Sequence, residues 1–341
     1  MNVKMIFAAI LAWATMLPVT AQVVLPPPDA QGWIKIFRGS QDAPSFYTYY
    51  GTVPPAQARR AFPDNTFRIR GDTVDVSGTP TGHFIYRIPL SHYRVRYQMR
   101  FPGNTVNCGM LLHIQENDPI LFNLFPRSVE AQGDPGQGMG QLWAIGDVWV
   151  TVTTLGTSNG NPRYNAAGTD LVYGAATSNS RCVTGKDGWG QPSYSTLANL
   201  GGGWVTQEAY VYGRDSIVVR VADTVRIKYR LPRVSTGGTP NNVTKYLDKG
   251  LLGWQSEGAS NTSTAVFYRN LQVMLLPGDS LYVPTYLEFS RRNTITPPSS
   301  KKILFARNGL LIFRETGMTE SLFNLRGQKT LNPKTIFSLP R

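Results

Sequence analysis

Residues 93–101, YRVRYQMRF, decide the fold of this chain because they alternate strictly between apolar and polar side chains. The apolar set comprises Tyr93, Val95, Tyr97, Met99 and Phe101. The intervening set comprises Arg94, Arg96, Gln98 and Arg100. This period of two predicts a half-buried strand whose apolar face points inward and whose basic face points outward.

The same alternation recurs along most of the chain. It is seen in TFRIRGDTVDVSG, HFIYRI, SIVVRVADTVRIKYRLP and AVFYRNLQVMLL. The 33 glycines and 24 prolines suit short strands joined by tight turns, and no apolar period of 3.6 residues continues for several turns. We therefore expect an all-β, antiparallel β-sandwich. Residues 155–203, rich in Gly, Asn, Ser and Thr, show little periodicity and are expected to form a long loop, functional or disordered.

The N-terminal residues 1–21 have the pattern of a secretion signal. Lys4 is followed by a short apolar run, and Val19-Thr20-Ala21 resembles a cleavage site, which leaves Gln22 as the mature start. The predicted location is therefore exported: periplasmic, cell-surface or extracellular. No later stretch is long and apolar enough to predict a transmembrane helix in the mature chain.

Export would permit a disulfide between the two cysteines, Cys108 and Cys182. Cys108 lies in an apolar strand and Cys182 in a Gly/Ser-rich loop. The alternative is two unpaired thiols, one of them packed in the core. Sequence alone leaves both possibilities open.

The net charge of +13 is concentrated near the C-terminus. Residues 291–341 contain ten Lys or Arg and two Glu, a net charge of +8. No nucleic-acid-binding motif accompanies this basicity, so a nucleic-acid partner is not expected. Pro, Ser and charged residues at 279–300 predict a linker, and 301–341 predict a small basic β-rich module with hairpin turns.

Two apolar stretches carry polar side chains that suggest a site. In NCGMLLHIQ, residues 107–115, alternation places His113 on one face with Leu111 and Gln115. In FPRSVEAQ, residues 125–132, it places Glu130 and Gln132 together. If the two strands are neighbours, these polar side chains converge on one sheet face. Trp143, Trp149 and Trp254 are candidate sugar platforms or core residues.

Several motifs in order resemble the 3-keto-disaccharide hydrolase family, over about residues 32–276. They are GWIKIFRG, TFRIRGDTVDVSGTPTGHFIYR, YRVRYQMRFPGNTVNCGMLLHI, FPRSVEAQ with GQLWAIGD, GGGWVTQEAYVYGRDSIVVRVADTVRI, and GLLGWQSEGASNTSTAVFYRNLQV. Two positions depart from the family pattern: Cys108 replaces a small polar residue, and Ala222-Asp223 replace a common Asn-Gly turn. The C-terminal RNGLLIF and LFNLRGQ resemble, less closely, the sorting tails of surface-exported bacterial proteins, which implies export machinery as a partner.

The resemblance implies a concanavalin A/laminarinase-like jelly roll over residues 22–278 and cleavage of 3-keto-glycosides, by elimination and rehydration, in a carbohydrate substrate. It implies His113 as base or metal ligand, Glu130 as its partner or the acid, and Gln132 as a sugar ligand. Arg269 and Glu257 are second candidates, alternatively a structural ion pair. No cofactor is certain, but His113, Glu130 and Asp134 are candidate ligands for a divalent metal ion.

Two other functions compete with the enzyme. The same sandwich could be a non-catalytic carbohydrate-binding module, because this fold hosts many lectins. It could also be a structural envelope protein anchored by its basic tail. His113 alone is more often a core or surface histidine than a catalytic one.

Overall fold

A computed structural model of the 341-residue chain describes residues 24–50, 59–102, 107–115, 125–174, 180–190, 203–235, 238–257, 265–282, 301–307, 310–315, 320–324 and 329–331. Contacts divide the chain into two compact units, Met1–Leu276 and Pro277–Arg341. The predicted signal peptide and most of the predicted linker lie outside the described residues.

Strands dominate both units, and the described helix is a short 3₁₀ segment, Ser40–Ser45. The first strands are β1 (Ile34–Lys35), β2 (Phe46–Tyr49), β3 (Arg59–Ala61), β4 (Phe67–Arg70), β5 (Thr73–Val76), β6 (Gly82–Leu90), β7 (His92–Arg100), β8 (Asn107–Ile114), β9 (Ser128–Gln132) and β10 (Leu142–Ile145). They are followed by β11 (Val148–Ser158), β12 (Asn161–Tyr164), β13 (Thr169–Gly174), β14 (Ser180–Val183), β15 (Val205–Tyr212), β16 (Ser216–Val221), β17 (Thr224–Ser235), β18 (Val243–Tyr246), β19 (Gly250–Glu257) and β20 (Val266–Leu275).

These strands form two antiparallel sheets, as the alternation predicts. The twelve-stranded sheet has the order β12-β11-β17-β16-β15-β7-β20-β5-β4, with β1 beside β20, β13 beside β11 and β18 beside β17. The eight-stranded sheet has the order β14-β10-β9-β8-β19-β6-β2-β3. The chain crosses repeatedly between the sheets, and the predicted antiparallel sandwich is confirmed.

The core lies between the sheets, where one cluster of buried side chains draws on both. Strand β7 shows the predicted alternation: Tyr93, Val95, Tyr97 and Met99 are fully buried, and the residues between them are half-buried on the outer face. Trp254 is a core residue and stacks on Phe84 with the ring centroids 5.2 Å apart. Such an aromatic pair adds about 0.5–1.5 kcal/mol to the stabilisation from burial.

The expectation of one long loop over residues 155–203 is wrong. The end of β11, all of β12 and β13, and β14 fall in this region. Weak alternation concealed them because half of the residues of β13, at the sheet margin, are exposed, so polar side chains are tolerated there. Residues 175–179 and 191–202 lie outside the described residues.

The two cysteines do not pair. Both are buried and free. Cys108 on β8 faces the core, whereas Cys182 lies on β14 at the margin of the same sheet and donates its thiol proton to Gln141 Oε1, 3.1 Å away. Three strand spacings of about 4.8 Å separate β8 from β14, so their Cα atoms cannot approach to disulfide distance.

The second unit contains a four-stranded antiparallel sheet in which neighbouring strands are consecutive in the chain. Its strands are β21 (Lys301–Arg307), β22 (Leu310–Glu315), β23 (Glu320–Asn324) and β24 (Lys329–Leu331). The predicted small β-rich module is therefore a four-stranded meander.

Within the described residues, the search for a helix with the length and apolarity of a membrane span finds none.

Candidate functional site

The candidate site lies on the outer face of the eight-stranded sheet, which we call the Glu130 face. Residues on the opposite face, such as Met110, Val129 and Trp254, belong to the core cluster, so their neighbours in sequence point outward. One row of cross-strand neighbours runs from β10 to β2 through Trp143, Glu130, Leu111, Gly253, Ile85 and Tyr47. The next row runs from β9 to β3 through Gln132, Gly109, Gln255, His83, Tyr49 and Arg59.

The Glu130 face has an apolar part and a polar part. A small apolar cluster covers one part; its members are Tyr47, Tyr49, Ile85, Leu111, Ile114, Phe125, Ile145 and Leu251, with Trp143 packed against them. The other part is polar and contains the three amide and carboxyl side chains of Glu130, Gln132 and Gln255. An apolar wall beside a few placed polar groups is the usual composition of a small-molecule site.

Glu130 is held in place by its neighbours on β8 and β19. Gly109 on β8 leaves the space that its carboxyl group occupies, since a Cβ at this position would lie 2.4 Å from Glu130 Oε1. Gln255 Nε2 on β19 donates a hydrogen bond to the same oxygen at 2.8 Å. The residue is only 5% exposed, so this carboxyl group is nearly removed from water.

The electrostatic surroundings of Glu130 favour its protonated form. Burial raises the pKa of Glu130 well above its usual range, and the charges of Glu257 and Asp134 raise it further. Burial also raises the pKa values of Glu257 and Asp134 themselves. Among the described residues no ion pair neutralises Glu130, Glu257 or Asp134, and three such carboxyl groups cannot all ionise easily. Protons are therefore retained here at a pH where an exposed glutamate loses its proton.

Glu257 and Asp134 occupy the same end of the face. Asn107 Nδ2 donates to Glu257 Oε2 at 2.7 Å, and Glu257 is half-buried. Asp134 follows β9 two residues after Gln132, and its Oδ1 accepts the Gly136 amide at 2.7 Å. Each carboxyl group therefore has one fixed oxygen, which orients the group.

His83, on β6, adds a neutral imidazole to the polar row. Burial lowers the pKa of His83 to about 3, although the Gln255 side chain and the Tyr49 backbone partly offset the effect. Phe125 packs against its ring with the centroids 5.0 Å apart. A histidine with this pKa is uncharged at neutral pH and is a weak base.

Some unsatisfied polar atoms lie on this face. Among the described residues, buried atoms with no hydrogen-bond partner include Nε1 of Trp143 and Oδ1 of Asn107. Buried polar groups in proteins are usually paired, so donors and acceptors left open together favour a ligand that pairs with them.

The structure separates His113 from Glu130, contrary to the prediction. His113 has a left-handed φ of 56°, and β8 gains one residue relative to β19 at this point. Because of this bulge Ile114, and not His113, joins Leu111 in the apolar cluster, so the predicted face shared by Leu111, His113 and Gln115 is wrong.

The charged groups that shift the pKa of His113 also differ from those that shift the pKa of Glu130. Burial lowers the pKa of His113 to about 4, and the charge that lowers it further is that of His92, on β7 of the other sheet. His113 is therefore not placed as the base that partners Glu130.

Gln132 and Trp143 lie beside Glu130. Gln132 is fully buried, and its Oε1 accepts the amides of Gly133 and Asp134, both at 2.9 Å. Trp143 is directly across from Glu130 in the register and is half-buried, which keeps it a candidate platform.

Arg269 and Glu257 do not form the ion pair considered from sequence. Glu257 ends β19 on the Glu130 face, whereas Arg269 lies on β20 of the twelve-stranded sheet and donates from Nε to Gln98 Oε1 at 3.0 Å. Trp149 lies on β11 of that second sheet as well. Only Glu257 of these three residues joins the site.

The candidate metal ligands are not assembled. Within the described part of the chain, no group of three or more His, Cys, Asp or Glu side chains is arranged to hold a metal ion. Asp134 and Glu130 are near each other, but the third predicted ligand, His113, is not with them.

Sequence reasoning missed Gln255, Gly109 and His83. Gln255 stands two residues before Glu257, so the period of two that paired Glu130 with Gln132 would have placed it on the same face. His83 offers no such signal, because it is isolated among apolar residues in the sequence.

Comparison with known proteins gives little beyond fold. No protein-family model matches the chain, and no curated protein matches it in sequence. A Parabacteroides distasonis protein, for which glycosyl hydrolase activity has been suggested, is 13% identical with a TM-score of 0.37, over 74% of this chain and 91% of that one. A Bacillus subtilis protein of unknown function with a galectin-like fold is 9% identical with a TM-score of 0.35, over 74% and 98%.

A variant of LamA from Zobellia galactanivorans, in complex with laminaritriose and laminaritetraose, is 10% identical with a TM-score of 0.35, over 74% of this chain and 100% of that one. Similarity this low carries no argument about activity. The function must therefore be argued from the residues of the Glu130 face.

Proposed function

We propose that the Glu130 face is the active site of an exported carbohydrate-active enzyme that cleaves 3-keto-glycosides, with Glu130 as the general acid. The observation that carries the proposal is the buried Glu130 carboxyl group, whose pKa is raised by burial and by Glu257 and Asp134. An acid catalyst must hold its proton at the working pH, and this environment favours that state. A binding module has no need of a buried proton donor.

The substrate class follows from combining this acid with the sequence resemblance. Trp143 and the apolar cluster offer a surface for the apolar face of a sugar ring, and Gln132, Gln255 and His83 offer groups for its hydroxyl or ketone oxygens. A ketone at C3 makes the proton at C2 acidic, because the resulting carbanion is delocalised onto the ketone oxygen. This chemistry needs one base and one acid.

We assign the base to Glu257. It is half-buried and less enclosed than Asp134 or Glu130, which makes it the most accessible of the three carboxyl groups, and Asn107 fixes one of its oxygens. Glu257 takes the C2 proton, the C–H electron pair forms the C1–C2 double bond, and the C1–O bond breaks. The departing oxygen takes its proton from Glu130. Water then adds across the double bond, returning a proton to C2 and a hydroxyl to C1, which makes the net reaction a hydrolysis.

The experiment compares 3-keto-glucosides with their unoxidised parents. Aglycone release is measured together with exchange of the C2 proton in deuterated water. The wild-type chain should release aglycone from the keto sugars and should exchange the C2 proton. Glu257→Gln should lose both, by on the order of 10²-fold or more.

Glu130→Gln separates the acid from the base. This variant should keep C2 exchange and lose release of alcohol aglycones, whereas a nitrophenyl aglycone, which leaves without a proton, should be released at nearly the wild-type rate. Asp170→Asn, which removes a surface partner of Arg230, is the matched control and should leave both rates unchanged. Sugar binding without release or exchange by the folded wild type would assign the face to carbohydrate binding instead.

A further inference from the structure

The outer face of the twelve-stranded sheet carries arginines stacked on aromatic rings. We call the set of Arg94, Arg96, Arg100 and Arg269 the arginine face. The Arg96 guanidinium lies 3.8 Å from the Trp33 ring centroid and Arg94 lies 4.9 Å from it. On the other side, Arg269 lies 3.8 Å and Arg100 lies 5.1 Å from the Trp204 ring. Stacking of this kind holds each guanidinium in a defined orientation.

A pocket of about 370 Å³ opens between these two arginine pairs. It is lined by Arg96, Tyr97, Gln98, Thr206, Asn270 and Gln272, from β7, β15 and β20. Gln272 Oε1 accepts from Arg96 Nε at 2.7 Å, and Gln98 Oε1 accepts from Asn270 Nδ2 at 2.8 Å. The pocket is within the size range of small-molecule sites, and most of its lining is polar.

The positive charge of this face is largely unbalanced. Arg94 pairs with Glu208 at 2.8 Å. Among the residues that the structure describes, no carboxylate pairs with Arg96, Arg100 or Arg269. Arg127, by contrast, pairs with Asp147 at 2.6 Å. The arginine face therefore brings together three arginines that have no carboxylate partner among the described residues.

We propose that the arginine face binds an anionic polysaccharide, with one carboxylated or sulfated sugar seated in the pocket beside Arg96. Guanidinium groups recognise carboxylate and sulfate oxygens through paired hydrogen bonds. The side chains of Gln98, Thr206, Asn270 and Gln272 present amide and hydroxyl groups suited to sugar hydroxyls.

A single-stranded nucleic acid fits this face less well. Its bases would require open aromatic faces for stacking. Trp33 is only 6% exposed and its ring already contacts Arg94 and Arg96, while the Trp204 ring contacts Arg100 and Arg269. The rings thus support the cations and do not offer a stacking surface.

This site is independent of the proposed activity, because it lies on the outer face of the other sheet. A substrate polysaccharide held here would stay near the protein while the Glu130 face acts on it. Glu130→Gln should therefore bind anionic glycan as tightly as the wild type, whether or not the enzyme proposal holds.

The experiment measures binding of the full chain to four probes by calorimetry at low and high salt. The probes are polygalacturonate, dextran sulfate, neutral dextran and a single-stranded oligothymidylate of similar length. Polygalacturonate or dextran sulfate should bind, and the comparison of the two tells whether carboxylate or sulfate is preferred. Arg96→Gln and Arg100→Gln should each weaken that binding at least tenfold.

Two control variants separate recognition by the arginine face from the effects of net charge and of misfolding. Arg230→Gln removes a positive charge from the same sheet, on β17, where it pairs with Asp170, and should leave binding unchanged. Gln272→Leu keeps every charge but removes the hydrogen-bond partner of Arg96, and should weaken binding several-fold even if Arg96→Gln fails to fold.

Three results would overturn the proposal. One is a folded wild type that binds neither anionic glycan. A second is oligothymidylate binding at least as tight as that of the glycans. The third is an Arg230→Gln loss as large as that of Arg96→Gln, which would indicate attraction by net charge alone.

Discussion

Glu130 is placed as the proposed acid chemistry would require, at a cost to the fold. Its carboxyl group is nearly fully buried, receives one hydrogen bond from Gln255 and faces the charges of Glu257 and Asp134. If this position served only stability, glutamine would suit it better, because its amide group also forms hydrogen bonds and carries no ionisable proton. The cost is therefore expected to be visible in stability measurements.

Replacing Glu130 with Gln should stabilise the protein at high pH. The folded pKa of Glu130 is raised, so between about pH 4.3, where an unfolded glutamate titrates, and that raised value the folded state binds more protons than the unfolded chain. The contribution of Glu130 to the free energy of unfolding consequently falls as pH rises through this window. The variant should gain on the order of 1–3 kcal/mol over wild type at pH 8, and about nothing at pH 4.

Urea unfolding of the two proteins from pH 4 to 8 measures this difference. His83 and His113 have lowered pKa values and weaken folding as pH falls below 6.5, but they do so in both proteins and cancel in the comparison. A difference that stays constant with pH would mean that Glu130 is not perturbed, and the assignment of Glu130 as acid would lose its basis.

The sequence predicted that Glu130 and Gln132 share a sheet face, because strand alternation fixes which side chains share a face when the strand is regular. It failed for His113 because one inserted residue in β8 breaks that alternation. A bulge at glycine leaves a visible signal, but here the left-handed residue is histidine, and nothing in its neighbours marks it. The position of His83 and Gln255 beside each other depends on the pairing of β6 with β19. These strands are far apart in the chain, so the sequence gives no sign of that pairing.

At the scale of elements, regular strands were predictable and marginal strands were not. Strand β7 lies between β15 and β20, so its inner face must be apolar throughout, and the alternation is complete. Strand β13 pairs with β11 at the margin of its sheet, and half of its residues are exposed, so burial imposes little pattern on it. A strand is thus easier to predict from its sequence when more of it is buried.

The hairpin between β16 and β17 offers a prediction at this scale. Both turn residues are left-handed, with φ values of 45° at Ala222 and 62° at Asp223, and both are exposed. Such two-residue turns favour Asn-Gly, whereas alanine is strained there. The double change Ala222→Asn with Asp223→Gly should therefore raise the free energy of unfolding by about 1 kcal/mol.

Denaturant unfolding at neutral pH checks the hairpin prediction. Asp215→Gly serves as control, because Asp215 is an exposed turn residue that is not left-handed, and the same change should destabilise the protein there. Equal effects of the two glycine substitutions would contradict the backbone explanation.

At the scale of the whole molecule, the first unit has its own core. The cluster of buried side chains between the two sheets runs from Ile34 to Val273, so all its members belong to the unit Met1–Leu276. Residues 291–341 carry a net charge of +8. If the core of the first unit suffices for folding, the basic segment can be removed without loss of stability.

A chain that lacks residues 291–341 should consequently unfold with a Tm within about 2 °C of the full chain in calorimetry, because a loss of 1 kcal/mol would shift a unit of this size by about 2–4 °C. The control ends at Glu257 and removes β20, which lies between β7 and β5 and supplies Val266, Tyr268, Leu271 and Val273 to the core. That chain should not fold. A loss of more than about 5 °C on removing 291–341 alone would show that the first unit depends on the basic segment. A separate measurement compares where the full chain and the chain lacking residues 291–341 are found in the cell. It tests whether that segment directs surface retention.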